Sequence, residues 1–288
     1  MDDREDIFVD TPKVGLEFDK VRADPGGMQR HSYTPARVDG EDVLIERRDF
    51  RIRVADTQGR RSKVGLLIER MYSWRGYQTT HAKILSHSPD QITLVAIKDE
   101  HLFGTITVGL DSPSSGLQAD ELYGDELGAL RSLSRKLCEC TKLAVDRDYS
   151  TKEALAALMN LAIIYAFRIT SCDDMLIEVN PRHAAYYKRM LGFVQAGPQR
   201  TCDRVGAPAV LLRLTSTYAT EQIDQHGGHQ TNDTKSLYPY FFSKREEEGL
   251  CARLRRPALS SKIASRLYSN PPLDDRQASA TQHDVFND

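Results

Sequence analysis

Residues 138–193 read CECTKLAVDRDYSTKEALAALMNLAIIYAFRITSCDDMLIEVNPRHAAYYKRMLGF, and this stretch decides the architecture. Cys138–Val145 is a short strand-like run that ends in the turn DRDYS. Ser150-Thr-Lys-Glu153 reads as a capping box with Ser150 at its head, opening a long apolar helix over about 151–170. DMLIEVN, 174–180, is a second strand. A Tyr-rich helix follows and stops at Gly192-Phe193. The unit is strand, helix, strand, helix.

Upstream, DFRIRVA (49–55) alternates as a strand does, and Leu67, Met71 and Trp74 recur at helical spacing over about 61–74. ITLVAIKDEHLFGTITVGL reads as a hairpin of strands 91–98 and 102–110. DSPSSGLQAD, 111–120, is a loop. A helix over 121–136 places Leu122, Leu127, Leu130, Leu133 and Leu137 on one stripe. Downstream, 193–199 and 207–215 read as strands joined by a turn around Arg204–Gly206. The core, about 47–216, is therefore of mixed α/β (α+β) class, with one central sheet flanked by helices. Residues 1–46 lack apolar periodicity and read as a disordered or loosely attached arm. Residues 217–288 read as a polar extension, with a short helix near 240–256 and a disordered end.

The bulk composition narrows the class. Of 288 residues, 40% are hydrophobic and 28% charged, as in ordinary globular proteins. The formal charge of −2 argues against a nucleic-acid partner. ALAALMNLAIIYAF is shorter than the ~20 apolar residues of a membrane span. MDDREDIF has no apolar stretch of a leader peptide. The five cysteines form no CxxC pair, so they read as reduced core residues rather than metal ligands, and cytoplasm is the expected compartment.

The order of elements and N180-P-R-H-A-A-Y-Y-K-R-M-L-G-F193 resemble the GNAT acyl-CoA N-acyltransferase superfamily, in which a sheet has one splayed strand pair. Within it the chain is most similar to FeeM-type N-acyl amino acid synthases and the related acyl-homoserine lactone synthases. E139-C-T-K142-L-A-V resembles their Glu-x-x-Arg strand, and R70-M-Y-S-W-R-G-Y77 their first helix. D146-R-D-Y-S-T-K-E153 stands where acetyltransferases carry a Gly-rich phosphate loop. Lys142 and Thr107 stand where the lactone synthases have arginines, which points to an amine acylase rather than a lactone synthase.

The resemblance implies an N-acyltransferase that moves a long acyl chain from acyl carrier protein or acyl-CoA to an amino acid or similar small amine. It implies no tightly bound cofactor and no metal, with the 4′-phosphopantetheine thioester or CoA as co-substrate. It implies Glu139 as general base, Tyr187 as proton donor to the leaving sulfur, and Lys142 as their charged neighbour. From the residues alone, Glu139 also reads as a solvated strand glutamate or a partner for Lys142, and Tyr187 as a packed amphipathic tyrosine. Backbone at Ala144 and Val145 would hold the oxyanion. Arg147, Ser150, Thr151, Lys152 and Asn180 would meet the donor, with the opening of the long helix facing its phosphate. Arg70, Trp74, Arg75, Tyr77, Thr107 and His183 would line the amine or acyl pocket. Arg60, Arg61, Lys63, Arg131, Arg135, Lys136, Arg182, Lys188 and Arg189 would form a basic rim for an acidic carrier protein. A lipid product would bring peripheral membrane contact. An acetyl-CoA-dependent N-acetyltransferase and a non-catalytic acyl-sensing or partner-binding protein are the alternatives.

Overall fold

The computed structural model describes residues 43–55, 58–73, 90–146, 148–230 and 235–255. Nine strands form the sheet: β1 Val43–Glu46, β2 Arg51–Val54, β3 Gln91–Lys98, β4 His101–Leu110, β5 Leu137–Val145, β6 Asp174–Val179, β7 Val194–Gln195, β8 Arg200–Cys202 and β9 Ala207–Thr215. Their order is β1-β2-β3-β4-β5-β6-β9-β7, with β8 also on β9. All pairs are antiparallel except β5–β6. The helices are α1 Gln58–Ser73, α2 Asp120–Ser132, α3 Lys152–Ile163, α4 Pro181–Leu191, α5 Ser216–His226 and α6 Lys244–Leu254.

Strand alternation sorts the helices onto two faces. Leu137 packs beneath α2 with Leu176 and Leu211, whereas Cys138 and Cys140 join the main core under α3. Ala144 lies beneath α1 with Val95, and Val145 returns to the main core. So α1 and α2 cover one face, and α3 to α6 the other. Residues 154–163 of α3 are all buried, which is why that helix is apolar all round. It continues without a break into a π-helical turn, Ile164–Ile169.

α4 ends where Gly192 adopts φ 75°, a left-handed cap that costs glycine little. A Cβ there would lie 2.0 Å from Tyr218.

Several elements differ from the sequence reading. Val43–Glu46, inside the stretch read as an arm, pairs with β2 as an edge strand. α2 stops at Ser132 because Ser134 turns left-handed (φ 57°), and its buried side chains are Tyr123 and Leu127. Leu133, which continued the stripe, is 71% exposed, and Leu137 is buried as part of β5 instead. Residues 193–199 supply only the short β7, and 200–202 pair with β9 as β8. Ser216–His226, which opens the stretch read as a polar extension, is helical because Thr215 caps it and Ala219 and Ile223 reach the core. α5 and the segment Leu237–Leu254 pack into the same core as α3 and α4.

Candidate active site

The parallel ladder between β5 and β6 is brief. Leu137, Cys138 and Glu139 pair with Asp174, Met175 and Leu176, and there the pairing stops. β5 runs on to Val145 along β4, while β6 runs on to Val179 along β9. Between those two departures a wedge opens, beginning beside Glu139. The cause lies in β5. Thr105 faces Ala144 and Thr107 faces Thr141, so Ile106 of β4 opposes two residues, Lys142 and Leu143. Such a bulge bends its strand. Lys142 takes the strained position, φ 56°.

Glu139 lies on the α1–α2 face, over Gly109 of β4, where an added Cβ would stand 3.6 Å from its Cγ. The residue is only 6% exposed. Gln118 N–H donates to one carboxylate oxygen at 2.7 Å and Ala119 N–H to the other at 3.0 Å. These amides immediately precede α2, whose first turn has no side-chain cap at Ala119, so the carboxylate sits where a helix start favours an anion. Burial pushes the Glu139 carboxyl above the ordinary glutamate range, while the two amides and the Arg204 guanidinium pull it back. Burial draws the Lys142 ammonium downward, opposed by the nearby Glu139 charge.

Thr107 is fully buried on the same face, sharing a 2.8 Å hydroxyl contact with Thr93 of β3. The face beneath α1 and α2 thus holds a polar row, Glu139, Thr141 and Thr107, along the β4–β5 ladder.

On the far side of the sheet, Tyr187 of α4 packs against the main core, edge-on to Tyr186 and Phe193. Tyr186 turns inward and is buried. Asn180 caps α4, accepting from Arg182 N–H at 3.2 Å. His183 accepts from the Arg182 side chain at 3.2 Å.

The cap of α3 is Thr151, not Ser150. Thr151 has extended backbone and its hydroxyl accepts from Ala154 N–H at 3.1 Å. Leu155 N–H closes the first turn on the Thr151 carbonyl, which sets the frame one residue later, and Ser150 only leans on that carbonyl at 3.4 Å. Lys152, in the first turn, lies over the ring of Tyr240 at 4.2 Å. The side chains of Ala144 and Val145 are buried, so only their backbone can serve a ligand. Arg70 donates to Asp146 at 2.6 Å, so its guanidinium ties α1 to the end of β5 instead of standing open for an acceptor carboxylate. Trp74, Arg75, Tyr77 and Arg147 lie outside the described residues. Of the basic rim, Arg131 is paired with Asp111 and Asp120, and Arg135 with Asp174, so neither is an open charge.

Glu139 and Thr107 thus share the α1–α2 face of the β4–β5 ladder, Lys142 stands at the bulge beside them, and Tyr187 packs on the opposite face of the sheet. The sequence reading missed Gln118, Ala119, Glu178 and Arg204. Two of these act through backbone amides, which leave no side-chain signature. Among the described residues no cluster of His, Cys, Asp and Glu is arranged to hold a metal ion, and no helix is long and apolar enough to cross a membrane.

The model of the family described as N-acyl amino acid synthase FeeM matches residues 63–215, more than half of the chain. The solved structure of FeeM, an N-acyl amino acid synthase from uncultured soil microbes, is similar at 28% identity and a TM-score of 0.54, covering 58% of this chain and 92% of FeeM. An acyl-CoA N-acyltransferase from Pseudomonas aeruginosa is more distant, at 16% identity, 57% and 97% coverage and a TM-score of 0.40. No curated protein sequence matches the chain. The central, mostly antiparallel sheet flanked by helices is similar to the fold of the FeeM structure.

Proposed function

The chain belongs to the FeeM family of N-acyl amino acid synthases and is an acyltransferase, and from that premise we propose that it joins a long-chain acyl group to the amine of an amino acid or similar small amine. The donor is the phosphopantetheine thioester of an acyl carrier protein, or acyl-CoA. One observation carries the reading: a buried, amide-held glutamate stands where the β5–β6 ladder parts.

Amide formation from a thioester needs a neutral amine, a proton acceptor, an oxyanion site and a stabilised leaving thiolate. The amine nitrogen attacks the carbonyl carbon and the C–S bond breaks. The proton lost by nitrogen goes to Glu139, and the Tyr187 phenol gives a proton to the departing sulfur. Backbone amides of β5, bent away from β6 by the bulge at Lys142, supply donors for the oxyanion. The half-buried Lys142 ammonium favours the ionised form of Glu139 and offers a counter-charge to an acceptor carboxylate. The opening of α3, with Lys152, suits the single phosphate of phosphopantetheine.

The test is mass spectrometry of lipids from cells expressing the protein, followed by kinetics with the donor and amine that it names. A new long-chain amide is expected, with Glu139→Gln lowering kcat by roughly 10²-fold or more. Turnover of acetyl-CoA alone, with no response to long-chain donors, would replace this reading with an acetyltransferase. Binding of acyl carrier protein with no turnover would replace it with an acyl sensor.

A further inference from the structure

A residue distant in sequence from the proposed base is joined to it by a continuous chain of contacts. Arg204 sits in the turn 203–206 between β8 and β9, 65 positions beyond Glu139. Its Nη2 donates to both carboxylate oxygens of Glu178 at 2.8 Å, near the end of β6. Its Nη1 donates to the carbonyl of Gln118 at 3.0 Å and to Glu121 at 2.5 Å. Gln118 is the residue whose N–H donates to Glu139, with Ala119 N–H beside it. So the segment ahead of α2 is gripped at its carbonyl by a guanidinium, and its amides in turn grip the carboxylate.

We propose that Arg204 is a positioning residue for acyl transfer: anchored on Glu178, it holds the Gln118–Ala119 backbone so that the two amides fix the Glu139 carboxylate at the mouth of the wedge. This rests on the reading of Glu139 as the base. Two features set it apart from an ordinary surface ion pair. The Arg204 side chain is only 20% exposed, and its fork spans three elements: the β8–β9 turn, β6 and the start of α2. The helix start it stabilises has no side-chain cap at Ala119, so the amides of 118 and 119 are available to the glutamate.

The charges around Glu139 give the test its sign. Lys142 approaches from its own strand, Glu178 from β6 and Arg204 from the β8–β9 turn, while Glu121 on α2 meets Arg204. Gly109 of β4, directly opposite Glu139, brings no charge. Arg204 lowers the Glu139 pKa and Glu178 raises it. Glu139 works as a base only when ionised, so the acid limb of kcat against pH reports it.

The experiment is the pH profile of kcat, with KM for the amine, in Arg204→Met, Arg204→Lys, Glu178→Gln and Glu139→Gln. Arg204→Met is expected to lower kcat about tenfold to a hundredfold, the cost of a misplaced catalytic group, and to move the acid limb to higher pH, with KM changed less. Arg204→Lys keeps the charge and loses the fork, so its acid limb stays near that of the wild type while kcat falls. Glu178→Gln loosens the anchor but removes a negative charge, so kcat falls while the limb moves to lower pH. A folded Arg204→Met with the wild-type profile overturns the proposal. If that variant does not fold, wild-type kcat in Arg204→Lys together with an unmoved limb in Glu178→Gln overturns it. Glu139→Gln separates the two claims. Undiminished turnover there removes the base reading, whereas a large loss there beside wild-type behaviour in the Arg204 and Glu178 variants removes only the role of Arg204.

Discussion

Glu139 shows how one side chain can be partly read from its neighbours. Cys138 and Cys140 flank it, and strand alternation alone sets it on the face opposite theirs. What it meets there was not legible, because its partners are the amides of Gln118 and Ala119 and a guanidinium at position 204. Its raised pKa predicts that kcat falls on the acid side at a pH above the ordinary glutamate value of ~4.3, a limb that Glu139→Gln should abolish. Tyr187 makes a different prediction. A phenol that protonates sulfur matters less when the thiol leaves easily. Tyr187→Phe should cost roughly 10²-fold with an alkyl thioester and far less with an aryl thioester of low thiol pKa. An equal loss with both donors would assign Tyr187 to packing against Phe193.

Among the elements, the apolar runs of β3, β4, β6 and β9 were plain in the sequence because both faces of these strands are covered. The bulge in β5 was hidden. Lysine at a left-handed position gives no signal of the kind a glycine would, and the extra residue appears only when β4 is laid beside β5. The α2 boundary misled for the opposite reason: Leu133 prolongs an apolar stripe past the point where the backbone turns away. The bulge carries its own prediction. Lys142 holds φ 56° at a cost of about 1 kcal/mol, which glycine would relieve. Lys142→Gly should therefore melt no lower than the wild type while kcat drops. A clear fall in melting temperature with unchanged kcat would make Lys142 a packing residue.

At the scale of the whole molecule, the family model ends at residue 215, yet the core does not. Leu237, Tyr238, Phe241, Phe242, Leu250, Cys251 and Leu254 are buried beyond it. Asn160, in the middle of α3, accepts from Phe242 N–H at 2.9 Å and pins that segment in place. A chain truncated after Thr215 should bind a hydrophobic dye and lose its cooperative melt, and a sharp melt in that fragment would mean that the tail is ornamental. In the tail, α5, polar on its outer side, gave no sign of the core contacts that Ala219 and Ile223 make. α6 also reaches β1, far back in the sequence. Arg253 donates to the Leu44 carbonyl and Arg47 pairs with Glu246, so α6 clasps β1. On the ribosome, then, β1 emerges about 200 residues ahead of the side chains that hold it, and its outer margin stays open while the rest of the sheet is being made.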